Sequence, residues 1–254
     1  MKNLMYGFIL LLAVFISSCS GSDEGSSVIS ITATYHQLDG GFYLVSDIGE
    51  KLYPEENGIS YDLTDGDRVT VSYTILGEDP DGIYDYYIQI NAINKMLMRD
   101  MFIFDEATTD EVRDSIGNNP IYLINAWIVD DYLTVAFEMP ISNTAHIVNL
   151  VEDLTEDKTD LGATILHLKQ NGNDIPTTEY MGWGVASFNI SALKDQANSG
   201  ETSAVITIRG TNTDGTAISY STNLIYYFAG ETSLRIRNIG LGDLGKQSEI
   251  IELK

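Results

Sequence analysis

The chain has 254 residues, 44% of them apolar, and sets 37 acidic residues against 14 basic ones for a formal charge of −23. Such a surface repels nucleic acid and anionic lipid headgroups, which excludes nucleic acid as a partner. With one cysteine there is neither an intrachain disulfide nor a Cys-ligated zinc to hold the fold, so hydrophobic cores must do it, and 15 tyrosines among many Val, Ile and Thr residues predict sheet.

The chain opens with Lys2, then an uncharged run from Leu4 to Phe15, then small polar residues, the order of a secretory signal. That run is too short to cross a bilayer, which takes about 20 apolar residues. The next four residues, Ile16-Ser17-Ser18-Cys19, place the only cysteine where the cut would fall. Apolar-small-small-Cys resembles the bacterial lipobox, which implies removal of residues 1 to 18, a diacylglycerol thioether on Cys19 and an acylated amine. Acyl chains, each worth ~0.8 kcal/mol per buried methylene, anchor a protein without a transmembrane helix. The alternative is an ordinary signal peptide with a chance or structural thiol. Residues 19 to 27 are polar and read as a tether, and Asp23-Glu24 resembles the acidic tag that sends some lipoproteins to the cell surface. The expected location is the outer membrane, lipid-anchored, on its periplasmic or cell-surface side, with the membrane itself as a partner.

From Val28 the apolar pattern alternates, and residues 28 to 36, 41 to 47, 67 to 76 and 84 to 98 read as strands. Asp39-Gly40-Gly41, Ile48-Gly49, Asn57-Gly58, Asp65-Gly66 and Asp79-Pro80-Asp81-Gly82 separate them as turns. Val69, Val71, Tyr73 and Ile75 share one face of their strand, and Arg68, Thr70, Ser72 and Thr74 the other. The first set is expected in a core and the second in water. Short strands and one long one predict a small barrel over 28 to 104.

Residues 105 to 119 are acidic and poor in apolar side chains, and are expected to be a linker, with Thr109 capping one or two helical turns before Gly117. Strands resume near 121 to 128, 131 to 138, 145 to 151, 163 to 169, 182 to 190, 203 to 210 and 216 to 228. Asp130-Asp131 forms a tight hairpin, and 191 to 199 makes one or two helical turns. Seven strands over roughly 110 residues predict a β-sandwich for 120 to 230. The tail, 231 to 254, balances four acids with four bases; Leu234 to Arg237 and Ile250 to Leu253 could each add an edge strand or hang loose.

Three histidines, His36, His146 and His167, are the candidate bases or metal ligands. If strands 145 to 151 and 163 to 169 pair across the loop near Asp157, His146 and His167 stand nearly opposite each other, and Glu152, Asp153 or Asp174 could complete a metal site. A slip of one residue would part the rings, and packed or surface histidines are the bland expectation. The acidic loops at 78 to 85 and 152 to 160 raise calcium, but neither follows the EF-hand order, so solvated turns are expected. There is no Gly-x-Ser-x-Gly elbow, no His-Glu-x-x-His and no phosphate-cradling glycine loop. Trp127, Trp183 and Tyr180 could stack on sugar or fill a core. No catalytic, cofactor or metal residue is assigned; lipidation at Cys19 is.

Tyr43-Leu44-Val45-Ser46-Asp47-Ile48-Gly49-Glu50-Lys51-Leu52-Tyr53-Pro54, Asp65-Gly66-Asp67-Arg68-Val69 and Ile116-Gly117-Asn118-Asn119-Pro120-Ile121, then Trp127 and Asp131-Tyr132-Leu133-Thr134, resemble the NigD-like lipoproteins of Gram-negative envelopes over about residues 28 to 228. The resemblance implies an N-terminal OB-like barrel followed by a C-terminal β-sandwich, the all-β division already drawn from periodicity. His146 with Leu150, and His167 before Asn171-Gly172 and Asp174, also resemble the family's sandwich half, although Leu168-Lys169-Gln170 intervenes where the family carries an asparagine sooner. The family's name comes from a bacteriocin locus and brings no catalytic residue. The function expected is a non-catalytic envelope lipoprotein that binds a glycan, a peptide or another envelope protein. The alternatives are a hydrolase using carboxylates or a His-bound metal, and a structural or bacteriocin-immunity role.

Overall fold

The computed structural model describes residues 28–55, 61–142, 145–159, 162–172, 180–213, 215 and 217–228, of which 217–223 as backbone. Cys19, the tether and the tail from 231 onward lie outside the described residues.

The first five strands are β1 (Ile29–Leu38), β2 (Gly41–Ser46), β3 (Lys51–Pro54), β4 (Arg68–Glu78) and β5 (Tyr86–Lys95). They close a barrel in the order β1-β2-β3-β5-β4, with β3 and β5 parallel and the other pairs antiparallel. Alternation along each strand sends Ala33, Tyr35, Phe42, Leu44, Leu52, Val69, Val71, Tyr73 and Ile88 inward to one core. Asp39-Gly40 turns β1 into β2 in two residues, and Gly40 supplies the positive φ of 87° that such a hairpin needs. β3 was not among the expected strands.

Three residues of β4 depart from the alternation, Thr74 among them: expected in water, it is buried and accepts from Asn91 Nδ2 at 3.1 Å. Ile75, expected in the core, is 38% exposed, because register shifts at Ser72/Tyr73 and Ile75/Gly77 turn the end of the strand. Arg68, expected in water, is 1% exposed, because the second domain covers that part of the barrel's outer face.

The sandwich begins earlier than its composition suggests. The long strand expected at 84 to 98 ends at Lys95; β6 (Leu97–Asp100) and β7 (Phe102–Phe104) follow at once. They are consecutive in the chain yet belong to opposite sheets, β6 at the edge of β6-β12-β9-β8 and β7 at the edge of β14-β13-β11-β10-β7. The chain crosses between the sheets at the buried Met101. Residues leading out of the barrel thus supply one edge strand to each sandwich sheet, and the connection is part of the second domain rather than a spacer at 105 to 119.

The remaining elements are α1 (Asp110–Ile116), β8 (Tyr122–Val129), β9 (Tyr132–Pro140), β10 (Ile147–Asp153), β11 (Thr164–Asn171), β12 (Met181–Asn189), α2 (Ala192–Asp195), β13 (Ser203–Thr211) and β14 (Ala217–Tyr227). Asp130, at φ 51°, closes the β8–β9 hairpin. Between the sheets lie Ile121, Leu133, Val135, Phe137, Met139, Val148, Leu150, Leu166, Leu168, Phe188, Ile206, Ile208 and Tyr226, all fully buried. The Tyr226 hydroxyl leaves this core by donating to Asp131 at 2.7 Å, and burial together with that carboxylate pushes the phenol's pKa far up.

The two domains meet over a buried polar cluster. Asp47, just after β2, accepts from both terminal nitrogens of Arg68 at 2.5 Å each, from Thr32 Oγ1 at 2.5 Å and from the sandwich's Trp127 Nε1 at 2.6 Å. Arg68 Nη1 also donates to Thr34 Oγ1 at 3.0 Å and Nη2 to Thr134 Oγ1 of β9 at 3.3 Å. Thr134 is in turn 2.7 Å from Ser187 Oγ on β12. A bidentate guanidinium–carboxylate pair with further donors on the carboxylate is the form in which buried charge is tolerated. The stretches in which the family resemblance was read supply Asp47, Arg68, Trp127 and Thr134, and they converge here.

A candidate binding groove on the sandwich

Helix α1 lies over the outer side of β10 and β11. Thr109 caps it by accepting from the Val112 N–H, as its sequence predicts, and the Asp105 carboxylate accepts from Ala107 N and Thr108 Oγ1 to hold the turn before it. The helix ends at Gly117, φ 83°, where an added Cβ would stand 2.6 Å from the Gln170 carbonyl oxygen and 2.7 Å from Asn171 Cα. Only glycine lets α1 come this close to β11.

Between helix and sheet is a groove of about 440 Å³. Its floor is a small apolar cluster, Phe104, Ile116 and Val151. Arg113 of α1 forms one wall: its guanidinium sits 4.7 Å above the Phe104 ring, donates to Asp153 Oδ2 at 2.5 Å and to the Asp105 carbonyl at 3.1 Å. On the opposite side His167 Nε2 is 2.6 Å from Glu156 Oε2, and Arg209 of β13 holds the other oxygen of Glu156. Lys169 Nζ donates to Asn118 Oδ1 at 2.7 Å.

The groove's electrostatics follow from burial opposed by pairing. Burial pushes the His167 pKa down, more than the Glu156 carboxylate raises it, with Lys169 and Arg209 adding to the depression. The imidazole is therefore neutral at neutral pH, and its contact with Glu156 requires the proton on Nε2. Burial works against ionising Asp153, but the hydrogen bonds from Arg113 and Thr155 outweigh it and hold its carboxyl below the usual range. Burial also lowers the Lys169 pKa, against the pull of Glu156 and Asp153. Among the described residues Lys169 makes no ion pair; its hydrogen bond goes to an uncharged amide.

The other expected site residues are dispersed. β10 and β11 do pair, but in the register Val151↔His167 and Ile147↔Asn171, so His146 falls beside Gly172, an odd number of positions away and on the other face. His146 is buried, with Ser142 N–H on Nε2 at 3.0 Å and the Gln170 side-chain amide 2.7 Å from Nδ1, so both ring nitrogens are engaged in packing. His36 is on the barrel, 3.6 Å from Asp65. Among the described residues no three His, Cys, Asp or Glu side chains converge to hold a metal; Asp174 lies outside them. Glu152 is buried against Gln196 at 2.7 Å, and burial raises its pKa.

In the loop at 78 to 85 the Asp79 carboxylate accepts from the N–H groups of Asp81, Ile83 and Tyr84 and from the Tyr87 hydroxyl. Its oxygens are committed to the turn rather than turned outward for calcium. Trp127 is at the domain junction, in the strand row of Thr134 and Ser187, and Trp183 is on the same sheet face four residues along, in the row of Glu138 and Tyr122, so the two indoles stand in separate rows rather than side by side; Tyr180 is 72% exposed. Sequence reasoning passed over Arg113, Asn118 and Lys169; Arg113 is the one base in the acidic stretch 105 to 119, and nothing local to β11 marks Lys169.

Residues 34–96 match the NigD-like N-terminal OB domain and residues 103–222 the NigD-like C-terminal beta sandwich domain. Among solved structures, a protein of unknown function from Bacteroides vulgatus is 27% identical over 90% of this chain and all of its own, with a TM-score of 0.63. A candidate toxin-related protein from Parabacteroides distasonis is 27% identical over 80% of this chain and 96% of its own, TM-score 0.61. A NigD-like immunity protein from Bacteroides caccae, 19% identical over 80% of this chain and 97% of its own, shares the fold with a TM-score of 0.56. No curated protein matches.

Proposed function

The chain belongs to the NigD-like family, and from that premise we propose that it is a non-catalytic binding protein of the cell envelope, lipid-anchored through Cys19 to the outer membrane. Its groove takes a partner segment that lays an apolar part on Phe104, Ile116 and Val151 and presents an anionic group to Lys169. The observation that carries this reading is the Lys169 ammonium: partly buried, made more acidic by burial, hydrogen-bonded to the neutral Asn118 and, among the described residues, in no ion pair, with Glu156 and Asp153 acting on it only through space. A cation left in that state gains from an incoming carboxylate or phosphate what the fold does not provide.

Most of the groove's other ionisable groups are bound into pairs, His167 and Arg209 with Glu156 and Arg113 with Asp153, while Asp114 on the rim is in no ion pair among the described residues. Such pairing suits a rigid recognition surface. A solved structure that shares this fold at 14% identity, from Bacteroides fragilis, is itself a candidate lipoprotein, which supports an envelope location alongside the Ile16-Ser17-Ser18-Cys19 sequence.

Photo-cross-linking in intact cells tests the binding role. A photoreactive residue replacing Asp114 on the groove rim is expected to give one saturable adduct, lost when Lys169→Glu is added, while the same probe replacing Asp62 on the barrel does not give it. Equal adducts from both positions would sink the groove as the binding site. Radiolabelled fatty acid on the wild type and its loss in Cys19→Ser test the anchor separately.

A further inference from the structure

Four rings occupy one cross-strand row on the outside of the barrel. His36 of β1 is opposite Tyr43 of β2, and Tyr53 of β3 opposite Tyr87 of β5, while the Leu44↔Leu52 pairing brings Tyr43 and Tyr53 to the same level. Phe42, Leu44, Leu52 and Ile88 fill the core, so the alternate positions carrying these rings point outward. Tyr84, from the turn before β5, lies between them. The row is continuous: His36 and Tyr43 stack with centroids 4.9 Å apart, Tyr43 to Tyr84 is 5.9 Å, Tyr84 to Tyr53 4.7 Å and Tyr53 to Tyr87 5.9 Å. Thr32 and Thr34, on the same face of β1, are covered at the domain junction; His36 continues that face beyond the cover. Beside Tyr84, Ile83 is 64% exposed.

Carboxylates surround the row. Asp65 stands 3.6 Å from His36, Asp79 accepts from the Tyr87 hydroxyl at 3.0 Å, and Asp79, Asp81 and Glu55 all bear on the Tyr87 phenol. The basic residues on these strands are Lys51, two positions before Tyr53, and Lys95 at the far end of β5, whose ammonium is 2.7 Å from Asp67. Half-exposed aromatic faces in a negative field attract cations and repel phosphates. The field itself discriminates: it favours a cationic partner, whereas a neutral sugar, which the tyrosine hydroxyls can also hydrogen-bond, gains nothing from it.

We infer that the His36–Tyr43–Tyr84–Tyr53–Tyr87 row is a docking surface for a cationic peptide segment, its Lys and Arg side chains laid over the tyrosine faces between Asp65 and Glu55. This surface is on the other domain from the groove and selects the opposite charge, so either can fail without the other.

The test titrates a fluorescein-labelled peptide of alternating Arg and Gly against the full chain in non-ionic detergent, with a β-1,4-linked gluco-oligosaccharide as the neutral probe. Saturable peptide binding is expected, weakened at least tenfold by Tyr84→Ala and Tyr43→Leu, kept within twofold by Tyr84→Phe, and unaffected by Lys169→Glu. Tyr84→Leu keeps the side chain's bulk without its π face and is expected to weaken binding like Tyr84→Ala, which separates recognition from a folding defect. Asp110→Asn with Glu111→Gln removes negative charge from α1 and is expected to change binding less than twofold. Loss of binding in that double variant equal to the loss in Tyr84→Ala would mean attraction to net charge alone and would overturn the proposal. So would absence of peptide binding, or Tyr84-dependent binding of the oligosaccharide in its place.

Discussion

Trp127 in the sandwich donates its indole N–H to Asp47 in the barrel at 2.6 Å, and Asp47 is the carboxylate on which Arg68 closes bidentately. One acid therefore holds both a buried guanidinium and the neighbouring domain. Removing it as Asp47→Ala leaves Arg68 buried without its counter-charge, and the expected loss is about 3–5 kcal/mol. The double variant Asp47→Leu with Arg68→Met, apolar on both sides, is expected to recover most of that. Urea denaturation followed by tyrosine fluorescence measures both, and a double variant as unstable as the single one would contradict the account.

Trp127→Phe keeps an aromatic ring but deletes the N–H together with the rest of the indole's five-membered ring, so its packing loss adds to that of the hydrogen bond. A hydrogen bond to a charged group contributes about 1.5–3 kcal/mol, and losing this one removes a direct link between the domains. The expected result is a loss of at least that size, together with faster amide hydrogen exchange on both sides of the junction, in β1 and in β8.

Gly117→Ala puts a Cβ where the Gln170 carbonyl already is and forces a left-handed φ on a residue with a side chain. A side chain held at φ 83°, ψ 170°, a region that essentially glycine alone occupies, costs about 1–3 kcal/mol before any clash. The contact is with backbone, so α1 must lift from β11, opening the groove. Hydrogen exchange is expected to rise over 110–118, with the barrel unchanged.

The groove also predicts a pH dependence. The His167 pKa is lowered in the folded chain from its ordinary 6.5. On acidification the unfolded chain therefore takes up this proton first, so the stabilisation His167 contributes is present above about pH 6.5 and is lost as pH falls through that value toward the folded pKa. His167→Gln is expected to flatten the stability curve between pH 7 and 5. Asp153 acts lower: its pKa is held below the ordinary 3.8, so its contribution is present above that value and lost as pH falls below it. An NMR titration in which His167 titrates at or above the ordinary value would contradict the assignment.

Lys169→Gln removes the charge and leaves the hydrogen bond to Asn118 possible. Stability is expected to change by less than ~0.5 kcal/mol, as for a surface-proximal group without an ion pair, while the groove cross-link weakens strongly. Equal loss of stability and of cross-linking would assign Lys169 to the scaffold.

What could be read without coordinates was whatever depends on near neighbours along the chain. The alternation in Val69-Thr70-Val71-Ser72-Tyr73, the Asp39-Gly40 and Asp130-Asp131 hairpins and the Thr109 cap each depend on a few adjacent residues, and they sufficed for an all-β chain of a barrel followed by a sandwich. Register and coverage belong to tertiary structure, because they depend on which distant strand is the partner and at what offset. One offset parts His146 from His167, another sets His36, Tyr43, Tyr53 and Tyr87 in a single row, and the approach of the second domain turns Arg68 from a water-facing residue into a buried one. The groove follows the same rule: Lys169, Arg113 and Glu156 become neighbours only once α1 crosses β11, a packing that Gly117 permits and no local pattern announces.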